Sequence, residues 1–405
     1  MEVLELRNGL KVIFSQLKGV NILACSVFVP RGSAFEPVEK AGITSLSLKT
    51  AFKRSLKRNT LEFSKIQEVY GTPFVPDVSN DYLNVRFQIV PEGLDKYLEL
   101  FKEVLEAPGF VEDSFSVEKE TLLAAIRSRK ENPFALAFER MTFLTYGGTP
   151  YEALAYGTEE SVKNINLEDV KSWFKNLFLL KGTVFSFSGK LNKKEKEKIV
   201  EFLENLETKE KKESLNFEKK IESNREVTVK REGSHQSFIM IAVNAPSVFG
   251  KDYAAYKLLN TLLGEGIGSV LFQELREKRG FAYSTGSLFP SRKCAGRLFF
   301  YIGTSKEKEE EVKKALIELK ENLVKFITPE SVKRAKEFFK GNFGLDHETR
   351  MKKSWYLGFW EVMGKKASFD KEILELIDSV SVSKLKEVAE RIASEPYHMV
   401  VVKDG

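Results

Sequence analysis

At 405 residues, 42% hydrophobic and 30% charged, the chain can bury sizeable cores and is long enough for two domains. Its 64 basic residues leave a net charge of only +6 over 58 acidic ones, interspersed with them rather than gathered on one face, which excludes a nucleic-acid footprint. No apolar run approaches the roughly 20 residues of a membrane span, so neither nucleic acid nor a membrane is expected as a partner, and a cytoplasmic location is the expectation.

The N-terminal segment MEVLELRNGLKVIFSQ alternates apolar and polar residues and breaks at Asn8-Gly9, a hairpin signal rather than a secretory leader. NILACSVFVP then reads as a strand that leads into the helical run EKAGITSLSLKTAFK, where Ile43, Leu46, Leu48 and Phe52 supply the packing face. VRFQIVPEGLDKYLELFKEVLEAPGFVEDSFSVEKETLLAAI reads as a strand, a helix, a short loop and a second long helix. ESVKNINLEDVKSWFKNLFLLKGTVFSFSG reads as a helix capped by Asn166 and a closing strand.

After the charged stretch 207–224, taken as a solvated linker, the same order returns. HQSFIMIAVNAP leads into GKDYAAYKLLNTLL, and RLFFYIGTSKEKEEEVKKALIELKENLVKFITPESVKRAKEFFKGNF repeats the strand and two helices. DSVSVSKLKEVAERIASEPYHMVVVKDG repeats the capped helix, with Ser383 as its cap, and the closing strand. The repeat implies an α+β fold of two homologous domains, 1–206 and 225–405. Each is expected to be a mostly antiparallel sheet covered on one face by helices.

Cys25 and Cys294 sit in apolar strand-like runs and read as core residues, not as a disulfide or ligands. Lys and Glu are abundant against five glutamines, the bias of heat-stable proteins. His235, His347 and His398 are too scattered for a zinc pair at helical spacing and read as strand-edge or surface residues. No nucleophile elbow or Walker loop occurs, and GEGIGS follows a helix rather than a strand, so it is discounted as a phosphate loop.

With AGITSLSLKTAFKRS, YGTEESVKNIN and LFQELREKRGFAYS on a doubled α+β unit, the chain resembles the pitrilysin and insulinase family of zinc metallopeptidases, in its mitochondrial-processing-peptidase-like branch. The resemblance covers essentially the whole chain. Active members carry H-x-x-E-H on the helix matching AGITSLSLKTAF, two histidines and a distal glutamate holding zinc and the motif's glutamate acting as general base. Here Ser45 and Lys49 stand at the histidine positions, Leu48 at the base and Ala125 at the distal ligand. An ammonium repels a divalent cation and Leu48 accepts no proton, so this chain is expected to bind no zinc and to cut no peptide alone.

The resemblance gives Arg279 and Tyr283, which match R-G-x-x-Y, a place in substrate binding and transition-state stabilisation. Read from the residues alone, they are a helix-capping arginine and a half-buried strand tyrosine. The implied function is a noncatalytic processing-peptidase subunit, paired as a heterodimer with a homologous chain that bears H-x-x-E-H and zinc, and acting on unstructured peptides. The alternative is a structural or peptide-binding homologue that works without a protease partner. An active hydrolase with an unrelated site is a third expectation, tested by chelator-insensitive cleavage.

Overall fold

A computed structural model describes residues 1–17, 19–210, 213–233 and 236–405. Two compact units emerge. Unit 1 comprises Met1–Ser128, Ala153–Ser214 and Asp346–Asp370, and unit 2 comprises Arg129–Glu152, Leu215–Leu345 and Lys371–Gly405. The repeat therefore does not split cleanly at 206 and 225, because each half of the chain lends one segment to the other unit.

In unit 1, β1 (Glu2–Glu5), β2 (Lys11–Ser15), β3 (Leu23–Val29), β4 (Val75–Val78), β5 (Leu83–Ile89) and β6 (Val184–Ser188) form a six-stranded sheet in the order β1-β2-β6-β3-β5-β4. In unit 2, β7 (Arg225–Lys230), β8 (Gln236–Ala245), β9 (Ser284–Leu288), β10 (Gly296–Ser305) and β11 (Tyr397–Lys403) follow the order β7-β11-β8-β10-β9. The two sheets repeat one plan. The pairs β2–β6 and β7–β11 are parallel, and every other strand pair is antiparallel. The hairpin expected at Asn8-Gly9 joins β1 to β2, with the Leu6 amide donating to Leu10 O and the Asn8 amide group to Leu203 O and Leu206 O.

The sheets are covered on both faces, not on one. Every residue of β3, LACSVFV, is buried, the unbroken apolar run that a strand needs when neither side meets water. Cys25, Val27 and Val29 join a core with Leu46, Leu48 and Phe52, whereas Ser26 and Phe28 point the other way. There lies the helix Arg350–Met363. Ser354 Oγ is 2.9 Å from Ser26 Oγ, Trp355 stacks edge-on to Phe28, and Lys11 Nζ donates to Glu361 at 2.6 Å. A Cβ on Gly358 would sit 2.6 Å from the Phe28 ring, so the helix reaches the sheet only because that position carries no side chain.

The helix Pro133–Tyr146 plays the same part in unit 2. Its Ala137 and Met141 pack against Phe238, Met240 and Ala242 of β8, while Ile239, Ile241 and Val243 on the opposite side are fully buried as well. Phe134 meets Phe238 and Tyr301 edge-on. Arg297, 2% exposed, anchors this end of the helix through Nη2 to Thr145 O at 3.3 Å, and also donates to Lys219 O and Gly296 O.

The charged stretch 207–224 is tied down at both ends. Lys209 N donates to Leu179 O, Thr208 Oγ1 to Asn8 O, and buried Ile221 exchanges both its backbone groups with the Asn244 amide. Asn166 caps its helix through a reciprocal capping box with Asp169. The matching cap in unit 2 is Ser381 rather than Ser383, since Ser381 Oγ accepts the Lys384 amide and the helix starts at Val382. Cys25 is a buried free thiol, as expected, but Cys294 lies in the turn between β9 and β10, where an apolar neighbourhood in sequence does not make a strand.

Candidate functional site

The helix Ile43–Ala51 opens on a buried carboxylate. Glu36, 7% exposed, accepts the amides of Gly42 at 2.7 Å and Thr44 at 2.9 Å, so two of the helix's orphan N–H groups are satisfied from six and eight residues upstream. Burial pushes the Glu36 carboxyl up to about 7, against the pull of the Thr44 hydroxyl and those two amides. The turn before the helix lies against the YGTEES stretch. Ser161 Oγ donates to Ala41 O at 2.8 Å, and a Cβ on Gly157, at φ +73°, would fall 2.1 Å from that oxygen. Two of the three sequence anchors are thus one structural feature.

Down the helix, Trp173 Nε1 donates to Thr44 Oγ1 and Ser47 Oγ donates to Val170 O, which fixes one face on the helix Leu167–Lys175. Leu48 is fully buried in the core. Ser45 and Lys49, one turn apart, share the half-exposed face, and neither makes a side-chain hydrogen bond or ion pair among the described residues. Just past the helix, Lys53 pairs with Glu118 of the helix Glu112–Glu131 at 3.1 Å. Ala125 is exposed two turns further along that second helix. Among the described residues, no three His, Cys, Asp or Glu side chains converge on a point where a metal could sit.

Arg279 and Tyr283 belong to unit 2. A π-helical turn, Phe272–Glu277, runs into Gly280 at φ +59°, closed by Gly280 N to Arg276 O at 3.1 Å and Phe281 N to Leu275 O at 2.8 Å. Phe281 is buried beneath Lys308, whose ammonium donates to Gly280 O. Tyr283 N then donates to Gly303 O of β10, and Arg276 Nη1 reaches Tyr283 O. The backbone is held on every side, but the two side chains are not. Tyr283 is 60% exposed, and among the described residues its hydroxyl has no partner and Arg279 meets only the exposed Glu318, at 3.6 Å. Among the described residues Arg279 caps no carbonyl, and Tyr283 is not half-buried, so neither serves the fold in the way that residue types alone suggested.

The histidines divide. His235 lies outside the described residues. His347 is no surface residue: its Nε2 is 2.8 Å from Oδ1 of fully buried Asp370, which also takes Lys353, and its ring stacks on Tyr356. His398 is buried in β11, where burial and the charges of Arg225, Arg297 and Lys219 push its imidazole down to about 4. Glu36, Asp370 and Arg297 escaped sequence reasoning, because a lone charge between apolar residues carries no periodic signal.

Two family models match the chain, one described as insulinase (peptidase family M16) over residues 11–159 and one as the peptidase M16 inactive domain over residues 164–339. The chain belongs to peptidase family M16. A relative from Helicobacter pylori, zinc protease PqqE, is 27% identical over 80% of this chain and 74% of its own length. A second from the same organism, non-peptidase homolog YmxG, is 24% identical over 88% and 83%. A solved structure titled as a protease from Helicobacter pylori has the same fold, with a TM-score of 0.89 at 24% identity over 99% of both chains.

Zinc is the metal of the active M16 peptidases, and the residues present here do not fit it. The four positions offer a hydroxyl, an isobutyl group, an ammonium and a methyl group, with no imidazole or carboxylate among them. The fold around them is kept. No helix among the described residues is long and apolar enough to cross a membrane.

Proposed function

We propose that this M16 chain is the noncatalytic subunit of a two-chain zinc endopeptidase of the processing-peptidase kind, active on unstructured peptides in the cytoplasm. The carrying observation is an asymmetry. The helix that bears the metal motif in active relatives has kept its packing and lost every ligand, while Arg279 and Tyr283 stand exposed on a rigid turn that does not need them. An exposed tyrosine and arginine held on an ordered backbone are the side chains most used as binding anchors. The guanidinium supplies directed donors for a peptide carbonyl, and the phenol can donate to an oxygen that gains negative charge as the peptide reacts. Cleavage and zinc are assigned to a homologous partner with H-x-x-E-H. A zinc protease and a non-peptidase homologue from one organism, both similar to this chain, support such a division of labour.

The test is reconstitution. The pure chain should show no peptide cleavage, and adding a zinc-motif homologue from the same source should produce activity well above that of the homologue alone. In the reconstituted pair, Arg279→Ala and Tyr283→Phe should each lower kcat by about 10²-fold, the scale of losing one transition-state donor. Stability of the variants should stay within about 0.5 kcal/mol of the parent, as for exposed side chains. Full activity in both variants removes the assignment of Arg279 and Tyr283. Failure of any homologue to gain activity favours the reading as a structural or peptide-binding protein.

A further inference from the structure

The sheet of unit 1 ends on β1, which among the described residues pairs with β2 alone. Its backbone groups alternate in direction. The Leu6 amide donates to Leu10 O across the turn, so Leu4 and Glu2 also face β2, while Val3 and Glu5 turn their N–H and C=O groups outward. Among the described residues nothing hydrogen-bonds to these four groups. The far end of the sheet is blunted: Ser79 N donates to Tyr82 O, which by the same alternation turns Pro76 of β4 outward, and a proline offers no N–H. β1 carries no proline, and its Val3 is 44% exposed.

Beside this open edge runs the helix Lys193–Glu204. Together they line a groove of about 810 Å³ whose apolar part comes from Leu4, Phe14, Leu191 and Val200. Its charges are unequal. Lys196 pairs with Glu2 at 2.6 Å and lies over the Phe14 ring, and Lys193 pairs with Glu197 at 3.7 Å. Both cations of the lining are thereby taken, whereas the exposed Glu201 and Glu204 have no side-chain partner among the described residues. The groove therefore offers backbone donors and acceptors, an apolar floor and two spare carboxylates. A second copy of β1 answers these poorly, since its strand EVLE adds two glutamates and no basic residue.

We infer that β1 and this helix form a docking groove for an extended segment of a partner protein, which adds to the sheet as a further strand and carries Lys or Arg two positions to either side of an aliphatic residue. Residues two apart share one face of a strand, so the aliphatic side chain meets the apolar floor while the flanking cations reach Glu201 and Glu204. Pairing with Val3 and Glu5 supplies affinity, and the side chains on the groove face supply selectivity. The groove shares no residue with the Arg279–Tyr283 turn and needs no zinc, so its fate is independent of the two-chain reading.

Fluorescence anisotropy of the labelled peptide Thr-Lys-Thr-Val-Thr-Lys-Thr with the full chain tests it. Saturable binding is expected, at least tenfold weaker for Thr-Glu-Thr-Val-Thr-Glu-Thr and for the lysine peptide N-methylated at alternate residues, which keeps its charge but cannot pair as a strand. Val3→Pro removes an outward donor without touching the ladder to β2, and Glu201→Lys/Glu204→Lys reverses the spare charge. Each should weaken the peptide at least tenfold while keeping the parental thermal midpoint. Absence of saturable binding at millimolar peptide overturns the proposal, as does equal affinity for the acidic peptide. Unchanged affinity after N-methylation marks a charge contact without strand addition and overturns it too. Self-association of the chain that Val3→Pro abolishes assigns the edge to a second copy instead.

Discussion

Glu36 Oε1 accepts the backbone amide of Thr44 at 2.9 Å, and its other oxygen accepts that of Gly42, so a carboxylate from outside the helix caps the element that carries the zinc motif in active relatives. Its carboxyl lies at about 7 against 4.5 for a free glutamate, because burial outweighs the hydrogen bonds that favour charge. The folded state thus binds the Glu36 proton more tightly than the unfolded state does. Its contribution is present in full below about pH 4.5 and is lost as pH rises through 7, a change on the order of 3 kcal/mol. The Glu36→Gln variant lacks this titration, so it should gain on the parent in urea midpoint between pH 5 and pH 8. A constant gap across that range shows that Glu36 stays ionised and removes the assignment.

The four degenerate positions differ in what they now do for the fold. Leu48 is fully buried, whereas Ser45 and Lys49 are half-exposed and Ala125 is exposed. Placing a carboxylate at Leu48 buries a charge with no partner and removes a packed side chain. Leu48→Glu should therefore cost roughly 3 kcal/mol or more, and Ser45→His or Lys49→His under about 1 kcal/mol. Urea unfolding of the three variants checks the ranking. Equal costs contradict the view that the core has closed over the base position.

Much of this architecture is legible in the sequence, but not the partners of each face. LACSVFV signals a strand and, being apolar throughout, a strand covered on both sides, which the one-face expectation overlooked. The helices Pro133–Tyr146 and Arg350–Met363 lie outside the elements that the sequence repeat predicts, and amphipathic spacing says only that one face of a helix is buried, not which sheet buries it. Their exchange between units is long-range packing that no local window contains. The loss of zinc ligands is visible at Ser45, Leu48, Lys49 and Ala125 once the family pattern is laid on the chain. Arg279 and Tyr283 stood out only by resemblance, since their exposure depends on how Gly280 and Phe281 close the turn.

Arg297 illustrates a charge recruited for backbone geometry. Among the described residues it pairs with no carboxylate and instead serves three carbonyls, from Gly296, Thr145 and Lys219, and burial holds its guanidinium below the usual value. Arg297→Met removes the charge but strands those acceptors, and Arg297→Lys cannot reproduce the planar fork. Both should destabilise the protein by about 3 kcal/mol or more, with early loss of order at residues 145 and 219 in hydrogen exchange. A methionine variant as stable as the parent shows that the carbonyls find other donors.

His398 titrates with the sign opposite to Glu36. Its imidazole, buried in β11 and facing Arg225, Arg297 and Lys219, is pushed from 6.5 down to about 4. The unfolded chain therefore takes up the proton first. Above pH 6.5 His398 costs nothing, and between pH 6.5 and 4 it withdraws up to about 3 kcal/mol from stability, because the native state must stay neutral where the unfolded state charges. Its Nδ1 has no hydrogen-bond partner among the described residues to offset this. His398→Gln, which does not titrate, should lose less stability than the parent on acidification from pH 7 to pH 4.5, opposite to Glu36→Gln over pH 5 to 8. Histidine resonances followed by NMR locate the midpoint directly. A value near 6.5 for His398 shows that the strand admits the charge and removes this assignment.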